Sequence, residues 1–169
     1  MVKIKNVVYT ILAIFLVSVL LGCVGQREAG LEPRAEGKAL YDYITAGNNY
    51  KNWNKWPGLG EFYPRSPGSA HSDLLTTYVS GNAFSAIQGK KGTLPEESIV
   101  VKENYDSNRT LMALTVMYKE KGYDPLNNDW FWAKYGPDGT VQAEGRVEDC
   151  INCHGQRKDN DYIFSSPLK

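Results

Sequence analysis

The sequence lacks both a net charge and a stripe of basic residues: 19 lysines and arginines balance 19 aspartates and glutamates. This balance speaks against nucleic acid or another anionic polymer as a partner, because such partners are bound by a basic face. Internal repeats and low-complexity segments are also missing. Aromatic residues make up 12% of the chain, enough large apolar groups to fill a core, so the sequence does not predict disorder.

Cysteine and histidine are scarce, with three and two copies, and three of these five residues stand together as Cys150-Ile151-Asn152-Cys153-His154. The CxxCH pattern is typical of c-type haem attachment, in which two thiols add to the vinyl groups and the adjacent histidine binds the iron. A zinc site would need two more ligands, and a redox CxxC pair would leave the histidine unexplained. The motif predicts one covalently attached haem c, with Cys150 and Cys153 as thioethers and His154 as iron ligand.

Residues 1–22 are predicted to be a lipoprotein-type export signal. Two lysines precede an uncharged run from Val7 to Leu21, and the run ends in Leu20-Leu21-Gly22-Cys23, which resembles a lipobox whose cysteine is lipidated. An uncleaved membrane-spanning helix is the alternative, because the run is close to the minimum length for a span. Both interpretations predict a membrane-anchored protein outside the cytoplasm.

The rest of the chain divides into a tether and one domain. Residues 23–37 are polar with glycine and proline, which predicts a flexible tether behind the lipidated Cys23, and residues 38–169 are predicted to be the haem-binding domain. Helices are predicted at Lys38–Thr45 and Asn82–Gln88. Asn52–Gly68, rich in proline and glycine, is predicted to be a loop without regular elements.

β-rich runs bounded by turn residues follow this loop. Strands are predicted at Leu74–Ser80, Ser98–Glu103, Leu111–Lys119, Asp129–Tyr135 and Thr140–Gly145. The turn Gly136-Pro137-Asp138-Gly139 makes the last two a hairpin. The predicted fold class is α+β: an antiparallel sheet with a few short helices and a C-terminal helical haem-attachment segment.

The position of the motif excludes two classes of cytochrome. Only 15 residues follow His154, and none of them is a methionine or a histidine, so a downstream sixth ligand of the mitochondrial type is excluded. The many predicted strands exclude a four-helix bundle. Met112 and Met117 could also bind iron, but both lie in an apolar strand pattern that favours core packing.

A β-rich domain with a C-terminal CxxCH resembles the cytochrome P-460 family, which includes the cytochrome c′-beta branch. The resemblance covers roughly residues 50–164. It is carried by Tyr78-Val79, Ile99-Val100-Val101-Lys102-Glu103, Leu114-Thr115-Val116-Met117-Tyr118-Lys119, Trp130-Phe131-Trp132 before the Gly136–Gly139 turn, Cys150–His154, and Asp161-Tyr162-Ile163-Phe164.

The resemblance implies a small exported haem protein that forms β-rich dimers, leaves one iron position open and acts on hydroxylamine or nitric oxide. In the cross-linked branch, which oxidises hydroxylamine and passes electrons to a partner cytochrome, a lysine is bonded to the porphyrin, and by motif match this is Lys102. The c′-beta branch implies a nitric oxide binder or scavenger without that bond. Strand alternation places Lys102 on the same face as Val100, and a lysine at the solvent edge of a strand is the alternative.

Further residues are candidates for the open side of the haem. His71, the second histidine, is predicted to be a hydrogen-bonding residue at the pocket edge or a surface residue; if it bound iron, the protein would be a simple electron-transfer cytochrome. Trp130 and Trp132 share one strand face and Phe131 takes the other. The sequence leaves two alternatives open: one set covers the haem while the other packs the core, or both sets pack in the core.

Carboxylates are needed for the proton transfers of hydroxylamine oxidation. Glu103, Glu144 and Asp129 are candidates by position, and Glu103 is the weakest because it points away from Lys102. Most of these carboxylates are expected to be solvated.

Overall fold

The computed structural model describes residues 33–169, which are built on one antiparallel sheet of seven strands and three short helices, an α+β fold as the sequence predicts. The predicted signal (residues 1–22), the lipidation site Cys23 and most of the predicted tether (23–37) lie outside these residues. Within residues 33–169, no helix combines the length and the apolar character that crossing a membrane requires.

The sheet follows the β-rich runs of the sequence. Its strands are β1 Asn54–Lys55, β2 Tyr63–Pro64, β3 Leu74–Val79, β4 Ile99–Tyr105, β5 Leu111–Lys119, β6 Trp130–Tyr135 and β7 Val141–Gly145. They lie in the order β1-β3-β4-β5-β6-β7, and β2 pairs with the other end of β3 along the same edge as β1. Every neighbouring pair is antiparallel.

The helices lie before, within and after this sheet. They are α1 Gly37–Asp42, α2 Gly81–Gln88 and α3 Glu148–His154; α1 continues as a π-helical turn over Tyr43–Gly47, and 3-10 turns occupy Tyr50–Asn52, Pro125–Asn127 and Gly155–Asn160. The helix predicted at Lys38–Thr45 therefore forms, although its second half is wound more loosely than an α-helix.

Each face of the sheet carries its own apolar core, because the central strands are apolar on both sides. The front face contains Val100, Met117 and Trp132, which are cross-strand neighbours in register and pack with α2 and the C-terminal segment. The back face contains Val101 and Phe131, which pack with α1 and its π-helical turn. Alternation along the strands thus assigns consecutive residues to two separate cores.

One prediction about the loop at Asn52–Gly68 is wrong. The structure places β1 and β2 inside it, paired with the two ends of β3. Each of these strands is two residues long, which is too short to show the alternation that identifies a strand in a sequence.

The back face also buries a carboxylate, Glu103, of which 2% is exposed. It accepts hydrogen bonds from the hydroxyls of Tyr50 at 2.8 Å and Tyr105 at 2.6 Å, and the Lys51 ammonium lies 3.7 Å away. Glu103 is thus an exception to the expectation that most of the candidate carboxylates are solvated, because two tyrosine hydroxyls replace water as its donors.

Replacing Glu103 with alanine is predicted to lower the free energy of unfolding by about 3 kcal/mol, because two tyrosine hydroxyls lose their acceptor and a cavity opens in the core. Urea unfolding of the purified protein measures the loss. Glu96→Ala, at a half-exposed carboxylate, is the matched control, with an expected change within about 0.5 kcal/mol. Equal losses in the two variants would contradict a structural role for the Glu103 cluster.

Candidate functional site

Helix α3 presents the CxxCH residues on a single turn. Glu148 and Asp149 occupy its first turn, where negatively charged side chains interact favourably with the helix dipole. His154 is its last residue. Cys150 and Cys153 are three residues apart and therefore lie on the same side of the helix. Both are partly buried and neither forms a disulfide. Two thiols and an imidazole thus lie on one short segment.

The imidazole of His154 is held by a backbone carbonyl. Nδ1 lies 2.7 Å from the carbonyl oxygen of Tyr162 and must donate to it, which leaves Nε2 as the nitrogen able to bind a metal. The ring packs against Trp132, with ring centroids 4.8 Å apart, and against Phe164 at 5.5 Å. The His71 ring is a third neighbour, with its centroid 6.3 Å from that of His154. The orientation of His154 is therefore fixed by one hydrogen bond and three ring contacts.

The Tyr162 carbonyl reaches His154 because Asp161 and Tyr162 both adopt left-handed backbone conformations, with φ of 54° and 66°. The buried Asp161 carboxylate stabilises this turn by accepting from three donors: the Leu94 N–H at 2.8 Å, the Lys119 ammonium at 2.8 Å and the Asn128 amide at 2.9 Å. Its own carbonyl accepts from the Trp130 indole at 3.1 Å. Sequence reasoning did not assign Asp161 a role, because these donors lie far apart in the chain.

A cleft opens beside His154 on the front face of the sheet. It encloses about 520 Å³ of empty space, a figure that includes its open mouth. Its wall is mostly apolar. The apolar side chains that line it include Trp56, Val100, Met117, Trp132, Ile163 and Phe164.

One side of the cleft is polar. Lys102 on β4 and His71 in the loop before β3 both line it, with Lys102 Nζ 3.4 Å from His71 Nε2. His71 Nδ1 lies 2.9 Å from the amide oxygen of Asn104. Among residues 33–169, no carboxylate forms an ion pair with Lys102. An amine in a largely apolar cleft is therefore accompanied by a neutral partner rather than by a counter-charge.

Burial sets the protonation of these groups. It lowers the pKa of Lys102 to about 8, an effect that the nearby Cys153 thiol partly opposes. Burial, and then the positive charge of Lys102, lower the pKa of His71 to about 3. Burial also lowers the pKa of His154 to about 4. Both imidazoles are therefore neutral near pH 7, as a metal-binding or proton-accepting histidine must be.

The residues of the cleft fit a c-type haem on three observations. Both thiols are unbonded and lie on the same helix turn as His154. The hydrogen bond to Tyr162 leaves His154 Nε2 available. The indole N–H of Trp132, a side chain that lines the cleft, is buried without a hydrogen-bond partner.

The structure brings most of the predicted site residues together and separates a few. Cys150, His154, Lys102, His71 and Trp132 all line the cleft, while Cys153 lies on α3 between Cys150 and His154. Trp130 is buried in the front core but does not line the cleft, and Phe131 lies on the back face because of strand alternation.

The remaining candidates lie elsewhere. Met117 lines the cleft, whereas Met112 is half exposed and does not. Glu144 accepts from the Gly37 N–H, and Asp129 accepts from the Asp124 N–H at 3.0 Å. Both carboxylates therefore bind backbone near the sheet edge and the turn before β6 rather than facing the cleft.

A family of known proteins matches most of the chain. The family described as Cytochrome P-460 matches residues 48–165, more than two thirds of the chain. The matched segment contains β1 to β7, α2, α3 and the polar side of the cleft. No curated protein matches the chain.

Replacing Asp161 with alanine is predicted to lower the free energy of unfolding by about 3–5 kcal/mol, because the largely buried Lys119 ammonium loses its counter-charge. Urea unfolding measures the change. Asp159→Ala, at an exposed carboxylate two residues earlier, is the matched control and is expected to stay within about 0.5 kcal/mol of the wild type. A loss of less than about 1 kcal/mol in Asp161→Ala would contradict the role assigned to the buried Asp161 carboxylate.

The stability of the protein is predicted to fall as the pH falls from about 6.5 toward about 3, in part because of His71. Over this interval the unfolded chain binds a proton on His71 and the folded protein does not, so protonation favours unfolding. In His71→Gln, the free energy of unfolding is expected to fall less steeply as the pH falls, and the difference in slope corresponds to the uptake of up to one proton. Urea unfolding at several pH values tests this, and identical slopes in both proteins would contradict it.

Proposed function

We propose, because the chain belongs to the cytochrome P-460 family, that it is an exported c-type cytochrome with one covalently bound haem and an open iron position, and that it oxidises hydroxylamine or a related small nitrogen compound. The electrons pass to a partner cytochrome. The observation that carries this proposal is Lys102: within residues 33–169 it has no ion-pair partner, and it lines the same cleft as His154.

The proposed haem is held by three residues of α3. Cys150 and Cys153 bind it as thioethers, and His154 Nε2 binds the iron. When bound, the haem supplies an iron that can take electrons from a small ligand. The hydrogen bond from His154 Nδ1 to the Tyr162 carbonyl keeps the ring in one orientation and makes Nε2 a stronger electron donor.

In this proposal, residues on the polar side of the cleft form a covalent link to the haem and accept protons from the substrate. Lys102 Nζ forms the second covalent link to the haem, as the family resemblance implies. Oxidation of hydroxylamine releases protons together with electrons, and the neutral imidazole of His71, which lines the same cleft as His154, is the proposed proton acceptor. Trp132 and Phe164 both pack against the ring of His154 and add to its fixed orientation.

The proposed location and partners follow from the N-terminal sequence and the resemblance. Lipidation at Cys23 anchors the protein outside the cytoplasm, with an uncleaved N-terminal helix as the alternative, and the part of the predicted tether that precedes the described residues holds the domain away from the membrane. The last tether residues pack on the domain, where Ala35 N–H binds Glu120 and Gly37 begins α1. A homodimer is part of the proposal through the family resemblance.

Nitric oxide binding without a lysine link is the second candidate function. The observation that favours it is the apolar wall of the cleft, formed by Val100, Met117 and Ile163, which suits a small uncharged ligand. In that case Lys102 and His71 line the cleft without a bond to the haem.

The test is to produce the full chain in a host that attaches c-type haem and to map its peptides by mass. We expect haem to join the Cys150–Cys153 peptide to the Lys102 peptide, with a red-shifted ferrous Soret band. Lys102→Ala is expected to lose this link and to lower the rate of hydroxylamine oxidation, measured with an artificial electron acceptor, at least tenfold.

Lys134→Ala is the matched control, because Lys134 is an exposed lysine in the same cross-strand row as Lys102 and Thr115. It is expected to keep the wild-type link and rate. Haem on the cysteines alone in the wild type, with tight binding of nitric oxide and no oxidation of hydroxylamine, would leave the second candidate as the function.

A further inference from the structure

Asn104 is a buried side chain on β4 whose amide orientation is fixed by its neighbours. Its Nδ2 donates to the carbonyls of Lys102 at 3.0 Å and Ala113 at 3.4 Å, and to the Thr115 hydroxyl at 3.1 Å. A carbonyl can only accept, so the amide NH₂ must face this side. The amide oxygen therefore faces His71.

This orientation determines which nitrogen of His71 carries the hydrogen. The Asn104 oxygen is an acceptor 2.9 Å from His71 Nδ1, so Nδ1 must be the N–H of the neutral ring. Nε2 is then a bare acceptor, and it faces Lys102 Nζ at 3.4 Å. The Ser69 hydroxyl, which accepts from the His71 backbone N–H at 3.2 Å, supports the loop that carries the ring.

We infer that His71, oriented by Asn104, is the positioning residue for the Lys102 amine, and that it receives the proton that leaves Nζ when Lys102 becomes bonded to the haem. The inference rests on the proposed function, because it assumes the second covalent link. It assigns a role in forming that link to two residues, one in the loop before β3 and one on β4.

A neutral acceptor suits this role better than a carboxylate. A carboxylate beside Lys102 would form an ion pair and hold the side chain as an ammonium, which has no lone pair for bond formation. An imidazole accepts one hydrogen bond from Nζ and leaves the nitrogen lone pair of the neutral amine available. The cleft contains the imidazole arrangement: His71 lies beside Lys102, and within the described residues no carboxylate forms an ion pair with Lys102.

Forming the link is a two-electron oxidation and therefore requires an oxidant, which in this proposal is hydrogen peroxide. A bond forms between Nζ and a ring carbon of the porphyrin, while one N–H and one C–H bond break. The two electrons and two protons released reduce one peroxide to two waters. Nitrogen becomes more acidic as the new bond forms, so its proton passes first to His71 Nε2, the acceptor already in contact with it, and from there to the peroxide as one of these two protons.

The experiment follows link formation in the full chain, produced and isolated without oxygen so that haem is on both cysteines but the Lys102 link has not yet formed, and then treated with hydrogen peroxide. The readout is the fraction of haem-bearing chains in which the Lys102 peptide is joined to the haem, measured by mass over time. We expect at least tenfold slower linking in His71→Ala and at least fivefold slower linking in His71→Gln, whose amide oxygen accepts a hydrogen bond but does not take up a proton. Asn104→Ala is expected to be at least threefold slower.

Asp73→Ala is the matched control in the same loop, because Asp73 is exposed and pairs only with Arg65 among the described residues; it is expected to link at the wild-type rate. Counting only chains with haem on both cysteines keeps misfolded variants out of the comparison. Wild-type linking in His71→Ala, or equal slowing in Asp73→Ala, would overturn the inference and leave the proposed function standing.

Two other results would also overturn it. A wild-type protein that forms no link would remove the premise and, with it, the cross-linked form of the proposed function. A low-spin wild-type ferric spectrum that becomes high-spin in His71→Ala would show that Nε2 binds the iron instead of the Lys102 amine.

Discussion

The candidate site depends on the buried carboxylate of Asp161. A carboxylate without water needs donors of its own, and the chain supplies them from the loop before β4, from the end of β5 and from the turn before β6. These contacts hold two consecutive residues in left-handed conformations, which non-glycine residues adopt at an energetic cost. The turn that results points the Tyr162 carbonyl at His154. The orientation of His154, the proposed iron ligand, is thus set by the buried contacts of Asp161, seven residues further along the chain.

The alternation of β4 has a second consequence for the chemistry of the domain. Lys102 and Glu103 are neighbours in sequence but lie on opposite faces of the sheet, so they cannot form an ion pair with each other. On the back face, Glu103 accepts hydrogen bonds from two tyrosine hydroxyls and lies near the Lys51 ammonium. Lys102 faces the cleft with His71 as its partner. The sheet itself keeps the buried amine away from the nearest carboxylate in the chain.

Much of the fold could be predicted because the information was local. The five long strands begin and end within two residues of their predicted positions, since alternation and turn residues mark them. The CxxCH segment likewise needs no tertiary information. The contact of His71 with Lys102 and Asn104 could not be predicted, because it requires the pairing of β3 with β4 across about thirty residues. The donors to Asp161 are scattered in the same way.

The two short strands on the outer edge of β3 affect how the domain behaves among other copies of itself. β1 and β2 occupy the two ends of that edge, and between them the Trp56 N–H binds the Thr77 carbonyl and the Phe62 N–H binds the Thr76 hydroxyl. A long unpaired strand is a template onto which another chain can add. Here the backbone positions of β3 are divided between two strands and a loop, so the edge offers no continuous row for the growth of a larger sheet.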